Sequence, residues 1–183
     1  VGYDLYCKML NEAVLALKGE RPEEEQFETV VDCDIDAFIP DGYIKNEYLK
    51  LDVYKRISAI ETDEEYMDMQ DELIDRFGDI PNSVDNLLRI AELKAMAHRA
   101  YVTEVNINRQ ELRLELYPKA KLDVAGIPGL IAEYKNALRF VQGEKPMMFY
   151  QDRKRKNKDC MPMLETTKEL LLKLSGLAAE IRS

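Results

Sequence analysis

The chain is poor in the residues that most often carry catalysis or metal. It has one histidine, His98, and three cysteines, Cys7, Cys33 and Cys160. An odd number of cysteines at wide spacing supplies neither a disulfide framework nor a zinc pattern, so free buried thiols in a reducing cytoplasm are expected. No Gly-x-Ser-x-Gly, no Cys-x-x-Cys and no Gly-rich loop followed by Lys-Ser/Thr occurs, so nucleotide binding and hydrolysis are not expected of this chain. No stretch approaches the roughly 20 apolar residues of a membrane span, and the N-terminus lacks a basic-then-apolar leader. Basic excess is missing too. Lys and Arg number 26 against 35 Asp and Glu, a net charge of −9 with pI near 4.8, which argues against nucleic acid as the main partner. There is no internal repeat and no low-complexity tract.

What remains is ordinary globular composition, 46% hydrophobic and 33% charged. At 183 residues roughly two-thirds of the unfolded surface can be buried, enough to fold without a disulfide or a metal. The acidity is local. Between Glu61 and Asp79 stand nine acids (Glu61, Asp63, Glu64, Glu65, Asp68, Asp71, Glu72, Asp75, Asp79) and one base, Arg76, eight net negative charges against nine for the whole chain. On a helix, at about 100° per residue, Tyr66, Met67, Gln70, Leu73, Ile74 and Phe77 gather on one side. Glu64, Glu65, Asp68, Asp71, Glu72 and Asp75 gather on the other. The apolar side is expected to face a core, and the carboxylates water or a basic partner. Asp63 is expected to cap the helix. Gly78 is placed to close it in a left-handed conformation, and Pro81 to prevent its continuation.

The coarse order of elements follows from periodicity. Tyr3–Lys18 reads as a helix closed by Gly19, followed by a polar link to Gln26, so residues 1–27 form a linking helix and connector and 28–183 the compact domain. Glu28–Ala37 alternates, with Val31, Cys33, Ile35 and Ala37 opposite Asp32, Asp34 and Asp36, as a half-buried strand does. Helices are predicted near Asn46–Ile60, Asp63–Phe77 and Ser83–Ala100. A hairpin around Asn108–Glu111, a short helix near Ile127–Asn136, a strand pair at Leu138–Val141 and Met147–Tyr150 and a helix over Leu164–Ile181 complete the chain. The class is α+β: three central helices after an N-terminal strand, then two β-hairpins and a C-terminal helix, preceded by the arm helix.

Each candidate site has a plainer reading. Asp32, Asp34 and Asp36 point the same way on a strand and could hold a divalent ion, but acids on a solvent face also deter edge pairing, and no metal is expected. His98, without a neighbouring motif, reads as a late-helix residue facing the terminal carbonyls, not a general base. Arg153, Lys154, Arg155 and Lys156, with Lys158, are the basic run. They suit phosphate or an acidic patch but lack interleaved aromatics for base stacking. The acidic helix face exceeds an ordinary wet face because such faces mix signs at four-residue spacing.

Three stretches carry a resemblance. Ile39-Pro40-Asp41-Gly42-Tyr43-Ile44, Leu51-Asp52-Val53-Tyr54-Lys55-Arg56-Ile57, and Glu72-Leu73-Ile74-Asp75-Arg76-Phe77-Gly78 with Pro81 resemble the C-terminal domain of the bacterial transcription-repair coupling factor family. Val1-Gly2-Tyr3-Asp4-Leu5-Tyr6 and Leu10-Asn11-Glu12-Ala13-Val14 resemble the segment leaving its motor. The likeness is specific from Val1 to about Ala97 and positional beyond. It implies a cytoplasmic parent that is an ATP-driven DNA translocase, with ATP and Mg in other domains and contacts to RNA polymerase and duplex DNA made elsewhere. It implies a non-catalytic domain without a cofactor, which folds back on the parent's own N-terminal, excinuclease-B-like module and covers the surface used by the excinuclease A subunit. Glu72 and Asp75, supported by Asp68 and Asp71, are the residues expected to dock. The competing expectations are a DNA-contacting accessory acting through 153–158 and a free-standing acidic scaffold for an unrelated basic protein.

Overall fold

The computed structural model describes residues 27–120, 122–153 and 160–180. The arm helix and connector expected over 1–26, and residues 154–159, lie outside the described residues. The described chain divides into two compact units, one of residues 35–95 and one of residues 27–34 with 96 onward.

The first unit is helical. Helix α1 spans Glu47–Ser58 and starts at Asn46, whose Oδ1 accepts from Tyr48 N at 2.9 Å and Leu49 N at 3.1 Å, the usual way to satisfy free amides of a first turn. Helix α2 spans Asp63–Phe77, as its periodicity predicts. Helix α3 spans Asn82–Arg99 and begins directly after Pro81, whose carbonyl accepts from Val84 N and Asp85 N. Val53, Ile57, Leu73, Val84 and Leu88 are all at most 2% exposed and make the core of this unit. Lys50 is largely covered as well, its stem packed down and its ammonium held by the exposed carboxylate of Asp41 with Glu47 nearby.

The second unit is a five-stranded sheet with helices. Strands β1 (Val30–Cys33), β2 (Val102–Ile107), β3 (Glu111–Leu116), β4 (Leu138–Val141) and β5 (Met147–Gln151) lie in the order β1-β2-β3-β5-β4. The two expected hairpins are therefore halves of one sheet, joined by β3 and β5 in antiparallel register, Leu114 opposite Met148. β1 runs parallel to β2, which a hairpin cannot achieve, so the chain from Asp34 to Tyr101 is the crossover. β1 is shorter than the alternation suggests. Its last partner is Ile107, where β2 ends, and after Asp34 N donates to Ile107 O no ladder remains, although alternating burial continues to Ile39. The β2–β3 turn succeeds without Asn-Gly because Asn108 Oδ1 accepts from Gln110 N at 2.9 Å and Glu111 N at 2.7 Å, an Asx turn.

Helix α4 spans Ile127–Glu133. It stops short of Asn136 because Lys135 takes a φ of +54°, outside the helical region. Helix α5 spans Met161–Glu180 and packs on β3, burying Met163, Leu164, Leu170, Leu171 and Leu174. The covered sheet face presents Val105, Leu112, Leu114, Leu138 and Met148, and the opposite face carries Asp32, Asn106, Arg113, Phe149 and Arg139 in one row across the strands. Lys173 ties α5 to α4 through Glu133 at 2.8 Å and lies 4.6 Å over the Tyr134 ring.

Cys33 and Cys160 carry thiols outside any disulfide, the first half-buried and the second buried. Burial pushes the Cys33 thiol up to about 12, with Cys160, Asp32 and Asp34 adding to it. At pH 8 its thiolate fraction is then about 10⁻⁴, against roughly one in four for an unperturbed thiol. Peptide mapping after treatment with a disulfide reagent should show Cys33 reacting at least about 100-fold more slowly in the native chain than in denaturant; comparable rates would contradict the burial.

Candidate functional site

Helix α2 is built from both ends by local rules. Its N-cap is Thr62, not Asp63. Thr62 Oγ1 accepts from Glu65 N at 3.1 Å while Glu65 Oε2 accepts from Thr62 N at 3.3 Å and Glu61 N at 2.7 Å, a reciprocal capping box. Asp63 occupies the first turn, where its charge suits the dipole. At the other end Gly78 has φ +86° and its N–H donates to Ile74 O, a conformation that favours glycine. The Tyr43 hydroxyl lies 3.1 Å from both Leu73 O and Gly78 O and can donate to either.

Burial corrects the expected apolar stripe. Met69 and Leu73 are the buried residues of α2, with Tyr66, Gln70 and Phe77 half-buried beside them. Met67 is 56% exposed and Ile74 51%. The inward ladder is thus 66-69-70-73-77, which is itself a 3-1-3-4 helical spacing. Met67 and Ile74 project roughly 80–105° from the middle of that ladder, onto the flank of the helix and not into the core.

The carboxylates fall into two groups. Glu72, on the flank toward α1, receives both terminal nitrogens of Arg56 and, at 3.0 Å, Arg76 Nη1. Those hydrogen bonds, Arg56's first, hold its carboxyl down to about 2, and Glu72 in turn raises Arg56. Asp68, Asp71 and Asp75 are exposed and have no ion-pair partner among the described residues. Of the four residues expected to dock, one is already neutralised inside the unit and three are open.

The same contacts explain why three separated stretches of sequence go together. Ile39 N donates to Tyr54 Oη at 2.8 Å, joining the first to the second. Tyr43 joins the first to the end of the third through Leu73 O and Gly78 O, its ring 5.7 Å from that of Phe77. Arg56 to Glu72 joins the second to the third. Glu72 therefore has an internal role, which the bidentate contact from Arg56, one helix away, supplies.

The other candidates separate. Asp32, Asp34 and Asp36 are exposed, only Asp32 lies within β1, and no group of three or more His, Cys, Asp or Glu placed for a metal occurs among the described residues. His98 does sit in the last turn of α3, but its ring stacks on Phe27 at 4.5 Å and its Nδ1 is 3.3 Å from Thr29 Oγ1, so it secures the chain entering β1. Arg153 is exposed after β5; Lys154, Arg155, Lys156 and Lys158 lie outside the described residues. No described helix is long and apolar enough to cross a membrane.

Comparison with known proteins agrees with the three linked stretches. The transcription-repair-coupling factor of Bacillus subtilis (strain 168) is 40% identical over 126 residues, 69% of this chain and 11% of that protein. The protein of the same name from Staphylococcus haemolyticus (strain JCSC1435) is 39% identical over 127 residues, again 69% and 11%. The chain thus spans about a tenth of the length of these relatives. A crystal structure of the C-terminal domain of a transcription-repair coupling factor has the same fold, with TM-score 0.64 at 24% identity, covering 82% of this chain and 95% of the other. The family model described as the TRCF domain matches residues 33–127, from the end of β1 to the start of α4. This chain belongs to the TRCF domain family.

Proposed function

We propose that this chain is a non-catalytic regulatory domain of a DNA-repair translocase, and that the outer face of α2 docks on the parent's own N-terminal, excinuclease-B-like module, masking the surface that the excinuclease A subunit binds. The supporting observation is the set of three exposed carboxylates, Asp68, Asp71 and Asp75, without an internal ion-pair partner among the described residues, beside a fourth, Glu72, that has two. Like charges at three- and four-residue spacing disfavour a helix, and a basic surface relieves them. Arginine suits this role because its planar fork matches a carboxylate.

Weak contacts suffice when tethered. A flexible link gives an effective concentration on the order of millimolar, so a contact with an intrinsic dissociation constant of about 100 μM is closed roughly nine-tenths of the time. Opening it completely raises apparent affinity for the excinuclease A subunit about tenfold. The test is Asp71→Lys with Asp75→Lys in the full-length parent. Glu72 is left intact because it braces the fold. Binding of excinuclease A about 5–10-fold tighter than wild type is expected; unchanged binding would overturn the reading.

A further inference from the structure

The chain enters β1 through an aromatic box. The Phe27 ring lies between the His98 imidazole, 4.5 Å away with 29° between the planes, and the Tyr117 ring, 4.7 Å away with 20° between the planes. The Tyr101 ring, tilted at 6.2 Å, is the third wall. Such stacks add specific attraction to the area they bury. Two residues on, Thr29 is 2% exposed and its hydroxyl donates to Val102 O at 2.8 Å. A hydroxyl has one hydrogen, so toward His98 Nδ1, 3.3 Å away, Thr29 Oγ1 accepts, and Nδ1 is the ring nitrogen that carries the proton. The walls are fixed from behind. Tyr117 N donates to Tyr101 O at 2.7 Å. Tyr101, buried just past the end of α3, holds a φ of +58°, a conformation that bulky side chains rarely adopt. Backbone strain of this kind persists only where the surroundings over-determine it.

β1 itself is held less firmly. None of its four residues, Val30 to Cys33, is buried, and it lies at the sheet edge with β2 as its one neighbour. A segment with few buried contacts opens at a lower free energy than the core around it. The attachment of residues 27–34 to their unit is therefore concentrated at Phe27 and Thr29, not spread along the ladder. We propose that the box of His98, Tyr101 and Tyr117 is a release catch for a strap formed by residues 27–34. With Phe27 seated, the chain before it joins the domain without slack. With Phe27 out, β1 leaves the β2 edge, and the eight residues from 27 to 34 add roughly 25 Å of reach to the connector. The domain then has two tether lengths, set by one side chain, whatever surface α2 meets.

Hydrogen exchange in the 183-residue chain, followed by peptide mass spectrometry, is the first test. Phe27→Ala should speed exchange of the amides of residues 31–34 at least about tenfold and leave β3 and β5 unchanged. Phe27→Tyr, which keeps the stack, should stay within about twofold of wild type. Unchanged exchange in Phe27→Ala would mean that the ladder holds β1 unaided; equal acceleration of β3 and β5 would mean that box and core open together. Either result overturns the proposal. The second test places spin labels at Gln26 and Gln151 and reads their separation by pulsed dipolar spectroscopy. Wild type should give one narrow distribution, and Phe27→Ala one that extends to longer distances by up to roughly 25 Å. A distribution that stays narrow in Phe27→Ala would overturn the two-length tether.

Discussion

Glu72→Lys should destabilise the helical unit by about 2–3 kcal/mol, whereas Asp75→Lys, three residues away, should change stability by no more than about 0.5 kcal/mol. The contrast comes from the partners. Glu72 receives Arg56 through two hydrogen bonds and Arg76 through a third, with its side chain 31% exposed. Lysine there would lose all three and bring a third cation against two guanidinium groups. Breaking a fully buried pair from one side costs roughly 3–5 kcal/mol; partial solvent access reduces that figure. Asp75 has no such partner among the described residues and its reversal costs little. In a thermal melt about 2–3 kcal/mol corresponds to a fall in Tm of very roughly 5–10 °C for a chain of this size. Equal melts for the two variants would mean that the Arg56–Glu72 brace contributes nothing.

The brace also has a pH signature. The Glu72 carboxyl is held at about 2 in the folded chain, below the ordinary value of 4.5, so the folded state favours its ionised form. Its contribution is complete above the unfolded value and declines as pH falls from about 4.5 toward 2. The stability difference between wild type and Glu72→Gln should accordingly be constant near neutrality and shrink below about pH 4.5.

These contacts mark what the chain discloses and what it withholds. The boundaries of α2 are written locally, in Thr62 and Glu65 at one end and Gly78 at the other, and reading them requires no knowledge of the rest of the molecule. The same holds for the alternation of β2 and β3. Pairings between distant segments are not local. That β1 lies parallel to β2, that β3 joins β5 into one sheet, and that Arg56 reaches Glu72 across 16 positions depend on tertiary packing, for which one sequence has no register. The candidate site was legible as an acidic helix face. Its division into an internally braced Glu72 and open Asp68, Asp71 and Asp75 was not, because composition counts carboxylates without their partners.

Leu73→Ala should cost about 3 kcal/mol and Ile74→Ala no more than about 0.5 kcal/mol, although the two residues are adjacent and similar in size. Leu73 is completely buried and Ile74 is 51% exposed. Removing three carbons from the first leaves a cavity that the surrounding Val53, Ile57 and Leu88 core can fill only in part; removing them from the second exposes a helix surface that is already wet. Met69→Ala should behave like Leu73→Ala, with a smaller loss because methionine is flexible and its surroundings adapt more readily, and Met67→Ala like Ile74→Ala. Urea denaturation of the four variants reads the rotation of α2 about its axis to within one residue. If Ile74→Ala proved as costly as Leu73→Ala, the inward direction of the helix would lie midway between the two residues, about 50° from Leu73. A near-neutral Ile74→Ala instead keeps Ile74 and Met67 on the solvent side of α2 and fixes the inward ladder at 66-69-70-73-77.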